Sequence, residues 1–212
     1  MNELLKMTAH QIKEGKFDKV ILAIGSCEAH GQHLAEGCDT IVSYELSKQV
    51  ADRVPGMMVL PPITVGYSGH YDTFPFTLTF DYETMIHVIY DIVESVLRNG
   101  INKIFLMNGH DGNIAPIEIA ARKIKEKYPD ARIASLPEWW VIAGKLVPEG
   151  TFKVWNGLGH AGEGESSIAY HLFPQWCEPD QATCVVPDHL PEHVDIKWDF
   201  AEITDTAQTG DA

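Results

Sequence analysis

Five consecutive apolar residues, Val20-Ile21-Leu22-Ala23-Ile24, do most to limit the fold of this 212-residue chain. A strand with one wet face alternates apolar and polar side chains. This run does not, so it reads as a strand buried on both faces, as in a parallel sheet covered by helices. The next stretch is polar: Gly25-Ser26-Cys27-Glu28-Ala29-His30-Gly31-Gln32-His33-Leu34, with Asp39 just beyond. Glu28, His30, His33 and Asp39 are four possible metal ligands within twelve residues. They fall at or just past the carboxyl end of the strand, where open α/β sheets carry their active sites.

The rest of the chain alternates between the two periodicities. Residues 3–14 carry an amphipathic helical pattern, and the first strand covers about Lys19 to Gly25. A helix runs from about Thr40 to Arg53, with Val42, Leu46, Val50 and Val54 four apart. Met57 to Pro61 reads as a short strand. Asp81 caps a helix whose apolar stripe is Tyr82, Met85, Ile86, Ile89, Val93 and Val96, and Gly100 ends it. A strand from Ile101 to Met107, a helix from about Asn113 to Tyr128 with Pro116 in its first turn, and a strand from Ala131 to Leu136 complete the series. Glu163 to Phe173 reads as one more helix, and beyond Pro174 the chain turns irregular and acidic. Such alternation predicts an α/β fold: a single domain over residues 1–212, three-layer α/β/α, with a mostly parallel central sheet.

Two later stretches match the chemistry of the first: Asn108-Gly109-His110-Asp111-Gly112-Asn113, and Gly159-His160-Ala161-Gly162-Glu163-Gly164-Glu165. Glu, His and Asp together suit a borderline divalent ion such as Zn, Mn or Fe. Asp39 stands where a helix begins, which is also the place of an ordinary N-cap; the nearness of Glu28 and His30 favours the ligand. A shared carboxylate can bridge two ions, and two ions about 4 Å apart can hold a hydroxide nucleophile and polarise a carbonyl. His160, in a Gly-flanked loop, fits a histidine that protonates a departing nitrogen. Glu165 lies in the first turn of its helix, where a carboxylate also complements the helix dipole.

The loop from Gly66 to Thr77 is rich in Gly and aromatics, so His70 is a candidate substrate contact. Trp139 and Trp140 come just after a strand end and are candidates for a pocket wall, with core packing as the alternative. The cysteines Cys27, Cys38, Cys177 and Cys184 form no CxxC pair and read as reduced. A formal net charge of −14 argues against nucleic acid or an anionic membrane as partner. No apolar run reaches the length of a membrane span and the first residues lack a signal-peptide core, so the expected compartment is the cytoplasm. No GxSxG elbow, Walker A loop or GxGxxG fingerprint competes with the metal reading.

At these residues the sequence resembles the creatininase family of metal-dependent amidohydrolases. Three motifs carry the resemblance: Gly25-Ser26-x-Glu28-x-His30-Gly31-x-His33-Leu34 with Asp39, then Asn108-Gly109-His110-x-x-Asn113, then His160-Ala161-Gly162-x-x-Glu165-Ser166. Gly66-x-Ser68-x-His70-x-x-Phe74-Pro75 looks like the family's substrate-side loop. The resemblance implies a binuclear centre at the strand ends. Glu28, Asp39 and His110 would bind one ion, His30 and Asp39 the other, and His160 would be the catalytic histidine. It also implies a small-molecule cyclic amide or formamide as substrate, a homohexamer, and a last helix that this sequence does not reach. Two positions depart from enzymes that act on creatinine, Gly112 and Gly159, which stand where those carry Glu; separately, Leu34-Ala35 stands where the family usually shows Leu-Pro. Glu165 is the expected substitute for the missing carboxylate. The Gly-rich second motif is similar to that of relatives that deformylate a pyrimidine intermediate of flavin and deazaflavin synthesis. The same departures also suit a weakened member that only binds a metabolite.

Overall fold

The computed structural model describes residues 2–187 and 196–212. The chain forms two compact units, interleaved along the sequence. The first comprises residues 1–26, 39–67 and 80–138; the second comprises 27–38, 68–79 and 139–212.

The first unit holds the sheet. Its elements are α1 (Ala9–Glu14), β1 (Lys19–Ile24), α2 (Cys38–Arg53), β2 (Met57–Val59), α3 (Tyr82–Arg98), β3 (Lys103–Asn108), α4 (Ile114–Lys127) and β4 (Arg132–Leu136). All four strands are parallel, in the order β2-β1-β3-β4. The α/β sandwich expected from the sequence is therefore present. Every apolar side chain of β1 from Val20 to Ile24 is fully buried. Val20, Leu22 and Ile24 pack with Met85, Ile89 and Val93 of α3 and with Ile117, Ala120 and Ile124 of α4. Ile21 packs on the other side, among Val59, Met107 and Ala51, beside Leu46, Val50 and Val54. Two helices cover one face and α2 the other, which is why β1 shows no polar alternation.

The amino-terminal pattern is corrected. The periodicity predicts one amphipathic helix over 3–14; a 3-10 turn at Leu4–Lys6 and α1 take its place. Thr8 interrupts them because its side chain accepts from the Gln11 N–H while the Gln11 side chain accepts from the Thr8 N–H. That reciprocal cap stabilises a helix start where the periodicity alone runs straight on.

Sheet order places the chemistry. From β1 the chain moves to one neighbour, β2, and then returns past β1 to β3 on its other side. This reversal makes a switch point between β1 and β3. Ile24 and Asn108, the last residues of those strands, are register partners. Gly109 approaches the start of α2 so closely that a Cβ would lie 2.4 Å from the Asp39 carbonyl oxygen. The absent side chain lets α2 begin directly over the strand ends.

The second unit contains α5 (Trp139–Leu146), α6 (Glu163–Leu172) and several 3-10 turns. Backbone bonds across loops hold it: Gly31 N–H to Ala207 O at 2.7 Å, Thr209 N–H to His160 O at 2.9 Å, Leu78 N–H to Cys27 O at 2.9 Å. Among the described residues, no helix is long and apolar enough to cross a membrane.

Candidate metal centre

In the first unit, Asp39 sits in the first turn of α2 and His110 comes directly after Gly109. Both are nearly fully buried. Nδ1 of His110 lies 3.1 Å from Oδ2 of Asp39. The same oxygen accepts from the Ser26 hydroxyl at 2.8 Å. Nε2 of His110 faces the Tyr67 carbonyl oxygen at 2.8 Å. A carbonyl only accepts, so Nε2 carries the proton. Nδ1 of a neutral ring then turns a lone pair on a carboxylate. Only positive charge reconciles those two acceptors at that distance, either an added proton or a cation.

In the second unit, Glu28, His30 and His160 form a compact trio. Each offers a ligand atom, and these atoms lie within 4.8 Å of one another. Glu28 and His30 are completely buried. Nδ1 of His30 donates to the Glu28 carbonyl oxygen at 3.0 Å, which makes Nε2 its ligand nitrogen. Nε2 of His160 donates to the Ala29 carbonyl oxygen at 2.7 Å, which turns Nδ1 toward Oε1 of Glu28, 4.0 Å away. The His30 and His160 rings stand 4.3 Å apart.

His30, His110 and His160 thus share one design. In each, one nitrogen is committed to a backbone carbonyl, and in His110 and His160 the other is turned toward a carboxylate. Outer hydrogen bonds of this kind fix the tautomer of metal-binding imidazoles. Two carboxylates and three imidazoles with fixed ring orientations fit a borderline divalent cation.

The remaining sequence candidates have varied surroundings. Glu165, in the first turn of α6, accepts the Ala161 N–H on Oε2 at 2.7 Å. His33 is buried, and its Nε2 bonds the Ser166 hydroxyl at 2.8 Å. Burial, with a smaller contribution from His30, pulls its pKa down to about 4. His70 lies in a 3-10 turn, 4.4 Å from the Tyr71 ring. Tyr71 in turn lies 4.6 Å from His160. Trp139 and Trp140 open α5 and meet edge to face at 5.8 Å. Phe200, 5.1 Å from His160, is a contact that sequence reasoning missed; it opens a short 3-10 turn, Phe200–Glu202, in the stretch beyond Pro174 that reads as irregular. Tyr71 lies inside the loop marked as a binding loop, so a signal for it existed. A cavity of about 610 Å³ elsewhere in the first unit, lined by Leu4, Phe17, Met58, Leu60 and Val96, contains none of these candidates.

Both glycine departures are built into the backbone. A Cβ at Gly112 would lie 2.2 Å from the Tyr67 carbonyl oxygen and 2.6 Å from Nε2 of His110. Gly159 has φ of +123°, and a Cβ there would lie 2.4 Å from the Thr209 carbonyl oxygen. Neither position accepts a glutamate as the chain stands.

A parallel α/β sheet and buried His–carboxylate sets fit the class of metal-dependent hydrolases. The creatininase family profile, described as creatinine amidohydrolase, matches residues 5–212. The chain therefore belongs to the creatininase family, whose matched relatives are hydrolases of carbon–nitrogen bonds. It is 30% identical to the creatinine amidohydrolase of Pseudomonas putida over 187 residues, covering 81% of this chain and 69% of that protein. It is 26% identical over 183 residues to a mycofactocin precursor peptide peptidase of Mycobacterium ulcerans, covering 82% of this chain and 66% of that protein. A mutant creatininase of zinc–zinc type superposes with a TM-score of 0.77 at 26% identity, over 97% of this chain and 85% of that one.

Proposed function

We propose that this chain, acting as one creatininase-like domain, is an amidohydrolase that opens or cleaves the C–N bond of a cyclic amide or a formamide. Two divalent ions, Zn, Mn or Fe, would be held by Glu28, Asp39 and His110 on one side and by His30 and Asp39 on the other. Glu165 is proposed to complete the second set. When bound, the ions supply a nucleophile from water at neutral pH and polarise the amide carbonyl. Water adds to the carbonyl carbon, the C–N bond breaks, and the nitrogen leaves with a proton. His160 delivers that proton. Its Nε2 is engaged by the Ala29 carbonyl, so Nδ1 is the atom that carries it. His70, Trp139 and Trp140 are assigned to the substrate side. By the family resemblance, the enzyme is a cytoplasmic homohexamer.

The observation that carries the reading is the shared orientation of His30, His110 and His160. Each gives one N–H to a backbone carbonyl; His110 and His160 turn the other nitrogen to a carboxylate, and His30 offers a ligand atom in the same group as Glu28 and His160. That pattern costs stability in an empty apolar core and gains it around a cation.

A second reading concerns the substrate. The closed backbone at Gly112 and Gly159 excludes the glutamates of the creatinine-acting enzymes. This favours a formamide, such as a formylaminopyrimidine, over creatinine. A member that binds a metabolite without turnover is the remaining alternative.

Metal analysis comes first. After chelation and reconstitution, about two equivalents of transition metal per chain support the reading, and fewer than one overturns it. The loaded protein is then screened against creatinine, lactams, formylaminopyrimidines and short peptides, with products identified. Turnover of one cyclic amide or formamide removes the binding-only alternative. Light scattering should give six times the chain mass of 23.6 kDa; a monomer would end the hexamer assignment.

A further inference from the structure

His33 belongs to the first motif, yet the proposed chemistry gives it no task. Its surroundings supply one. Ser166 is 1% exposed, and its hydroxyl donates to the Ala161 carbonyl oxygen at 3.1 Å. A serine hydroxyl has one proton, so the contact with His33 at 2.8 Å runs the other way: Nε2–H of His33 donates to Oγ of Ser166. The chain of donors is His33 to Ser166 to the peptide just after His160.

That peptide needs a tether. Ala161 has φ of +53°, the left-handed region, where a Cβ makes the backbone strained. Its N–H is held by Oε2 of Glu165 and its carbonyl by Ser166. On the preceding residue, the His160 N–H donates to Oγ1 of Thr209 at 3.0 Å and the His160 carbonyl accepts from the Thr209 N–H at 2.9 Å. His33 sits three residues after His30 and five after Glu28. Its own carbonyl accepts the Glu178 N–H at 2.8 Å, which anchors it from behind.

The geometry points to His33 and Ser166 as a pair of positioning residues: a buried imidazole–hydroxyl relay that locks the turn carrying His160 in register with Glu28 and His30. His33 acts as a neutral donor, and neither residue touches the substrate. The proposal rests on the hydrolase reading, because only a reacting His160 needs that register.

The test has two arms, so the two readings can fail separately. In the first, Ser166→Ala and His33→Ala are compared with wild type on whichever amide is turned over. A kcat lowered about tenfold to a hundredfold, with KM within about threefold, is the expected result for an outer residue that orients a reacting group. His33→Gln, which keeps an N–H donor, should recover most of the loss. The second arm needs no substrate. In ring-labelled histidine spectra, the His160 cross-peak, identified by its loss in His160→Gln, should move in both alanine variants while the peaks of exposed His10 and His87 stay. Failure of wild type on every amide would sink the hydrolase reading alone, with the spectra still legible. A folded Ser166→Ala protein with an unmoved His160 peak and kcat within twofold of wild type would overturn the positioning role. If Ser166→Ala does not fold, His33→Gln decides, since a displaced His160 peak in a folded protein that retains the donor contradicts the relay.

Discussion

At the scale of single residues, the centre is made by what each imidazole does with its second nitrogen. His160 shows this most directly, being fixed at Nε2 and turned to Glu28 at Nδ1. On the proposed mechanism, His160→Gln removes the proton carrier and leaves the proposed ligands Glu28, His30, Asp39 and His110 in place. It should lower kcat by about 10²- to 10⁴-fold with little change in metal content, measured by steady-state kinetics beside metal analysis. His33 has a different signature, in stability. Burial lowers its folded pKa to about 4, against about 6.5 in an unfolded chain. The unfolded state therefore binds a proton that the native state refuses. Stability from this residue is complete above about pH 6.5 and is lost as pH falls toward 4, at up to about 1.4 kcal/mol per pH unit. Urea midpoints from pH 7 to pH 4 should fall less steeply in His33→Gln than in wild type; parallel slopes would contradict the assignment.

At the scale of elements, the order of strands and helices was legible because burial imposes periods. β1, covered on both faces, reads as an unbroken apolar run, and α3 reads as a stripe at helical spacing behind the Asp81 cap. Leu22→Ala empties a fully buried position and should cost about 2–5 kcal/mol by chemical denaturation. Asp81→Ala loses the side-chain bond to the Thr84 N–H and should cost about 0.5–2 kcal/mol. The misses have physical causes. The helix Trp139–Leu146 is apolar nearly all round, so it has no stripe to read. The segment 155–161 is shaped by left-handed residues, including Trp155, Asn156 and Ala161. It is held by backbone bonds to residues near 209, and such bonds leave no trace in side-chain pattern. By contrast, the candidate side chains at 28, 30, 39, 110 and 160 were readable from the motifs. The carbonyls of Glu28, Ala29 and Tyr67 that orient their rings were not.

At the scale of the whole molecule, buried charge and metal must be linked to stability. The chain has a formal net charge of −14, so self-repulsion already works against compactness. Glu28 and Asp39 add two carboxylates to the interior. Uncompensated, such groups are costly; a divalent cation beside them replaces that cost with attraction. The cation binds the native constellation far better than an unfolded chain, so it stabilises in proportion to the logarithm of its concentration over Kd. At a thousandfold excess over Kd the gain is about 4 kcal/mol per ion, and for a chain of this length that corresponds to roughly 8–16 °C in Tm. Chelation should therefore lower Tm by at least that range, and Zn or Mn should restore it. On the proposed ligand set, Asp39→Asn should abolish most of the difference between loaded and chelated protein, because its carboxylate would serve both ions. A wild-type Tm indifferent to chelator and to added metal would mean that these buried acids are balanced by protons instead, and the centre would then be no metal site.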